Sequence, residues 1–146
     1  MRLTEGVAAG RLGTHDHGVL ATVHPERGVD AVPVVYAAVA GLVGIPVDTV
    51  KPKASTMLQR ERNLRADPRA TLLVEQWDRV DWSRLWWVRA HLSWLDSEVA
   101  RPHVDRLADA LVDRYPQYRD RPFTSVLVFE IVAVSGWESG SESGSG

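Results

Sequence analysis

Residues 18–38 read GVLATVHPERGVDAVPVVYAA, and this stretch decides the fold. Gly18–His24 has the composition of a strand. Pro25-Glu26-Arg27-Gly28 supplies a turn, because proline presets φ and glycine tolerates φ > 0. Val29–Ala38 then returns as a second strand, nearly all apolar, as a strand covered on both faces should be. The two runs make a hairpin. Pro33 cannot donate to a ladder, which places it at an edge or a bulge. Gly41–Asp48 reads as a third strand, with Gly44-Ile45-Pro46 as an interruption within it.

Outward from the hairpin the period changes. Ala54, Met57, Leu58 and Leu64 fall on one side of a helix from about Ser55 to Arg65, and Asp67-Pro68 stops it. Strands follow at Ala70–Gln76 and Leu85–Leu95. A second helix, Ser97–Arg114, puts Ala100, Val104, Leu107, Ala108 and Leu111 on one face. Pro116 and Pro122 bracket an irregular loop before a sixth strand, Ser125–Val134. At the N-terminus Leu3–Leu12 reads as a short helix weakened by Gly6 and Gly10. Six strands with two to three helices predict a mainly β (α+β) domain, a closed or nearly closed barrel spanning 1–137. Residues 138–146, ESGSESGSG, read as a flexible Ser/Gly/Glu tail.

Composition narrows the classes. The chain has 146 residues, 45% hydrophobic and 25% charged, with a formal charge of −2 and no cysteine. This suits one domain and excludes disulfide frameworks, thiol catalysis and Cys-built metal sites. The charge gives no basic field that would draw the domain to nucleic acid or an anionic membrane. The longest apolar run, Ala31–Ile45, is broken by Pro33, Gly41 and Gly44 and is too short to cross a bilayer as a helix. The expectation is a cytoplasmic protein. Six of the eleven aromatics are Trp.

Two segments carry candidate chemistry. In Asp48–Arg69, DTVKPKASTMLQRERNLRADPR, a strand ends, two lysines flank a proline, and a helix opens on Ser55 and Thr56. Backbone N–H groups and the helix dipole favour an anion there, with Lys51 and Lys53 adding charge. Thr56, Arg60 and Asn63 recur along one helix side. The alternative is a capped helix with a solvated basic face, and no GxGxxG or GxxxxGK[ST] decides between them. The second segment, Trp77–Trp94, holds five tryptophans. Trp82, Trp86 and Trp94 share one strand parity, Trp77 and Trp87 the other, so one set enters the core and the other meets a flat ligand or a partner subunit. His15-Asp16-His17 reads as a surface loop, Asp78 and Asp81 as turn formers. No metal site and no catalytic residue is singled out.

Taken together, VDAVPVVY, VDTVKPK, RNLRADPRATLLVE, DWSRLWWVRA, RYPQY and the closing SGW resemble the pyridoxamine-phosphate-oxidase-like split β-barrel flavoproteins. Within them they resemble the actinobacterial coenzyme F420-dependent oxidoreductases. The resemblance covers about Gly18–Trp137. It implies an FMN-binding split barrel that works as a homodimer with two cofactor sites at the interface. The cofactor phosphate is then expected against Lys51, Lys53, Ser55, Thr56 and Arg60, and the ring near Pro33, Val34 and Val47, with Trp82 and Ser83 close by. The implied activity is hydride transfer between F420 and a small planar or unsaturated organic substrate. FMN in place of F420, or an F420- or haem-type binding protein without turnover, stays open at this point. A borrowed redox cofactor also asks for no acid/base dyad, and none stands out.

Overall fold

The hairpin forms as its sequence dictates. In the computed structural model, which describes residues 1–48, 58–120 and 123–140, β1 (His17–His24) and β2 (Gly28–Val35) pair antiparallel from His17 opposite Val35 to His24 opposite Gly28. His24 Nδ1 closes the turn by accepting from the Glu26 and Arg27 amides at 3.0 and 3.1 Å.

Among the described residues seven strands form, where the sequence predicts six. Val29–Ala38 breaks at Tyr36, leaving β3 (Ala37–Val39) to pair with β4 (Leu42–Asp48). The cause is the tyrosine itself. Its side chain is fully buried, its hydroxyl donates to the Leu12 carbonyl at 2.5 Å, and its own carbonyl accepts from the Tyr115 hydroxyl at 2.9 Å. The chain thereby leaves β1 and enters the far side of the sheet. Ala40 and Gly41 turn it back with φ of 50° and 81°, the two-residue positive-φ turn that matches strand twist.

The remaining elements are α1 (Glu5–Thr14), α2 (Gln59–Ala66), β5 (Arg69–Gln76), β6 (Trp86–Leu95), α3 (Ser97–Arg114) and β7 (Phe123–Glu138). The strands form one antiparallel sheet in the order β2-β1-β5-β6-β7-β4-β3. It curls until β2 comes against β4, though neither strand is a ladder neighbour of the other. The result is a half-barrel with a split between β2 and β4. Leu20, Tyr36, Ile45, Leu64, Leu72, Val88 and Phe129 fill its interior.

α3 has the range its periodicity predicts. Asp96 caps it, accepting from the Glu98 and Val99 amides. Ala100, Leu107, Ala108 and Leu111 pack on Ala37, Leu42, Val126 and Val128. Each leucine buried there contributes roughly 1.5–3 kcal/mol. The Gly44-Ile45-Pro46 interruption does not occur, since β4 runs through it and pairs with β7. Gly44 is the contact point of α3: a Cβ there would stand 2.9 Å from Leu107 Cβ.

Two helix and strand ends also differ from expectation. Leu58, immediately before α2, has extended backbone (φ −74°, ψ 155°), so the helix opens at Gln59 and cannot run unbroken from Ser55. β7 extends past Val134 to Glu138, whose carboxylate meets Arg11 at 2.8 Å and whose amide donates to the Met1 carbonyl.

Candidate functional site

The split between β2 and β4 is a cleft of about 410 Å³. Its walls are apolar: Pro33, Val34 and Val35 from β2, Ile45 and Pro46 from β4. Proline on both strands is consistent with the open seam. A residue without an N–H cannot donate to a ladder, and such residues belong at unpaired edges. Three polar side chains complete the lining, His17 from the start of β1, Arg60 from α2 and Tyr118 from the 3-10 turn Pro116–Tyr118.

Each of the three is placed by a specific local device. Arg60 donates to the Pro46 carbonyl at 3.5 Å. Three residues later the buried Asn63 donates to Thr22 Oγ1 and to Asp30 Oδ2, both at 2.9 Å, and locks α2 onto the β1–β2 hairpin. Asp30 is held below the usual carboxylate range, chiefly by its hydrogen bonds from Arg27 and then from Asn63. Tyr118 packs edge-on against Tyr115, with ring centroids 5.8 Å apart. Tyr115 in turn donates to the Asp16 and Tyr36 carbonyls, and burial pushes its phenol up. His17 follows directly on that clamp.

The sequence-predicted site residues divide into three groups. Pro33, Val34 and Arg60 come together in the cleft. Val47 is buried on β4 within the barrel core, next to the cleft strand positions without lining it. Lys51, Lys53, Ser55 and Thr56 lie outside the described residues.

Trp82 and Ser83 do not line the cleft of their own chain. They sit in a 3-10 turn, Trp82–Arg84, capped by Asp81, so Trp82 has no strand parity. Trp82 is 63% exposed and packs at 6.2 Å on Trp77, itself 61% exposed. Asp78 accepts from the Val80 and Asp81 amides, as a turn former does.

Sequence reading missed His17, Val35, Ile45, Pro46 and Tyr118. The sequence places His17 in a surface loop, whereas β1 begins on it and it lines the cleft. Its two-residue offset from His15, followed at once by GVLATVH, was the available signal. Among the described residues no three His, Cys, Asp or Glu side chains group as a metal site would require.

The outer face of the sheet has a different character. Trp77, Trp86, Trp87 and Trp137 surround a shallow cleft of about 380 Å³ with Arg89 and Leu73. Trp87 and Trp137 are direct cross-strand partners, as are Val19 and Leu73. Arg89 lies 5.0 Å over the Trp87 ring. Trp86 and Trp94 are half-buried against the barrel core. Among the described residues no helix is long and apolar enough to cross a membrane.

No family model and no curated protein matches the chain. Solved structures do. An FAD-binding protein of Mesorhizobium loti superposes with a TM-score of 0.65 at 17% identity, over 93% of this chain and 95% of that one. A conserved hypothetical protein of Mycobacterium tuberculosis gives 0.67 at 21% identity, over 94% and 86%. The heme storage protein of Vibrio cholerae gives 0.61 at 12% identity, over 91% of each. The class is therefore the split β-barrel fold, which this chain shares with these neighbours.

Proposed function

We propose that the protein is an oxidoreductase that holds a deazaflavin or flavin in the β2–β4 cleft and acts on a small planar or unsaturated organic substrate. The observation that carries this reading is the cleft itself: an apolar slot between two proline-bearing strands, with the Arg60 guanidinium in its wall. Slots of a few hundred Å³ with few polar groups are what planar ligands occupy. A cation there suits the phosphate that F420 and FMN share.

When bound, the cofactor supplies the hydride chemistry. The chain's own residues have simpler tasks. Pro33, Val34, Val35 and Ile45 sandwich a ring and exclude water. Arg60, with Lys51, Lys53, Ser55 and Thr56 from the preceding segment, anchors the phosphate. F420, our leading cofactor, also carries an acidic tail, and the exposed Arg62 and Arg65 offer it a basic approach.

We further propose that the working unit is a homodimer. The resemblance puts Trp82 and Ser83 beside the ring, yet they do not line their own chain's cleft. Trp82 of the partner subunit reaches a ring if the tryptophan-rich outer faces of two copies meet. Trp is a favoured residue at interfaces of this kind.

Absorbance titration of the purified protein with F420 and with FMN tests the reading. Lys53→Ala and Arg60→Ala should each lose about 1–3 kcal/mol of cofactor binding, the scale of a charge-assisted contact left unmade. Unchanged affinity for both cofactors in both variants sinks the assignment. A second reading, a planar-ligand binding protein without turnover, is favoured by the cleft lining, which holds no carboxylate among the described residues. Reduced F420 whose oxidation is not accelerated by any of a panel of quinones, enones and bilins, with tight binding intact, would establish it.

A further inference from the structure

We propose that His17 is a ligand-facing hydrogen-bond donor of the cleft, beside Arg60 and Tyr118, and that it receives a carbonyl oxygen carried on a planar conjugated ring. This rests on the reading of the cleft as a ring-binding slot and assigns the polar recognition that the reading leaves open.

His17 is the one imidazole lining the cleft among the described residues. The β1–β2 register fixes its backbone opposite Val35, another lining residue. Its ring stacks on His15 with centroids 5.8 Å apart and planes inclined by 24°. His15 is in turn wedged edge-on against Trp86 at 5.2 Å. The segment leading into β1 is clamped from the end of α3. Arg114 Nη1 donates to the Gly13 carbonyl at 2.8 Å, Arg114 Nη2 to the His15 carbonyl, and the Tyr115 hydroxyl to the Asp16 carbonyl. The backbone leading to His17 is thus fixed and its exposed ring rests on one face against His15, so part of the ordering is done before a ligand arrives.

The chemistry follows from the surroundings. Every strand residue lining the cleft is Val, Ile or Pro apart from His17. A ligand oxygen entering such walls needs a donor or loses its solvation uncompensated. A neutral imidazole offers one N–H, and a carbonyl oxygen accepts it. A second anion would ask for a further permanent cation at this end. The Arg114 guanidinium is committed to the Gly13 and His15 carbonyls and lies 3.7 Å from the Asp16 carboxylate. A neutral carbonyl is the better match. It can belong to the dione edge of the cofactor or to a quinone or enone substrate, and the experiment separates the two.

The test compares His17→Phe with His17→Gln. Phenylalanine keeps an aromatic ring to stack on His15 but removes the donor; glutamine restores an N–H. His103→Phe, an imidazole on α3 outside the cleft lining, is the control for a histidine-to-phenylalanine change as such. Each variant is titrated with F420 and FMN by absorbance, and KM for menadione is measured with the reduced cofactor. A cofactor carbonyl predicts a Kd about tenfold weaker in His17→Phe, the scale of one lost hydrogen bond. A substrate carbonyl predicts an unchanged Kd and a menadione KM about tenfold higher. In either case His17→Gln should recover most of the loss and His103→Phe should show none. Unchanged constants in His17→Phe, or a glutamine variant as poor as the phenylalanine one, overturn the inference and leave the ring-slot reading standing. A wild-type protein that binds neither cofactor overturns both.

Discussion

Asn63 Nδ2 stands 2.9 Å from Thr22 Oγ1, and the two residues are 0% and 2% exposed, the buried polar residues of an otherwise apolar interior. The same amide nitrogen reaches Asp30, and Gln59 donates to Asn63 Oδ1 at 2.9 Å. One amide thus sets the rotation of α2 on the hairpin. Arg60, on the preceding helical turn, is carried to the cleft by that setting.

Asn63→Ala should therefore do two things at once. Leaving a buried Thr22 hydroxyl without its donor costs about 1–3 kcal/mol, read as a lower urea midpoint with an unchanged slope. It should also weaken FMN or F420 binding, because α2 loses its rotational key. A variant with wild-type affinity despite lowered stability would separate Arg60 placement from the Asn63 network.

Asp30 supplies a pH test of the same network. Its folded-state pKa is depressed, so its contribution is present above the unfolded value near 3.9 and lost as pH falls through the folded value. Thermal melts of wild type and Asp30→Asn should differ at pH 7, with wild type the more stable. The gap should close toward pH 3. A gap independent of pH would remove the carboxylate from the account.

The hairpin, the strand at Ala70–Gln76 and the periodicity of α3 are legible in the sequence because each is decided by neighbours a few residues apart. The Tyr36 break is not. Val29–Ala38 is nearly all apolar, and what divides it is a pair of hydrogen bonds to Leu12 and Tyr115, 24 and 79 residues away. The start of α2 escaped for a related reason: the 3.6 period from Ala54 to Leu64 was satisfied on paper, but Leu58 is extended. At the site, Pro33 could be recognised as an edge residue and Arg60 as a candidate anion ligand. That Pro46 faces the same cleft depends on the sheet curling round, which no local pattern encodes. His17 was undervalued because the residues that fix it, Arg114 and Tyr115, lie 99 positions from their acceptors.

Tyr36→Phe isolates the long-range part of that account. The variant keeps the buried ring and removes the hydroxyl that holds the Leu12 carbonyl near the end of α1. A buried acceptor left without its donor predicts a loss of about 1–3 kcal/mol in urea unfolding. Burial also pushes the Tyr36 phenol above its ordinary value. The stability this confers is complete below the unfolded pKa near 10 and declines as pH rises beyond it, when the unfolded chain ionises first. The wild-type advantage over Tyr36→Phe should shrink above pH 10, and an advantage that grows there would contradict the burial argument.

The proposed dimer makes the last prediction. Val19 and Leu73 are cross-strand partners, each 38% exposed, on the outer face that also carries Trp77, Trp87 and Trp137. If a second copy covers this face, the attraction is mainly hydrophobic and survives salt, since screening acts on exposed charges and not on apolar burial. Sedimentation equilibrium should then give a dimer mass at low micromolar concentration in both 0.1 and 1 M NaCl. Leu73→Asp puts a carboxylate into that interface with no cation brought to meet it, and it should weaken the dimer by at least about tenfold. Val99→Asp, at a site 55% exposed on α3, should leave the mass unchanged. A monomeric wild-type protein, or a Leu73→Asp variant as dimeric as the parent, would move the interface off this face. It would also leave Trp82 without a route to the cleft.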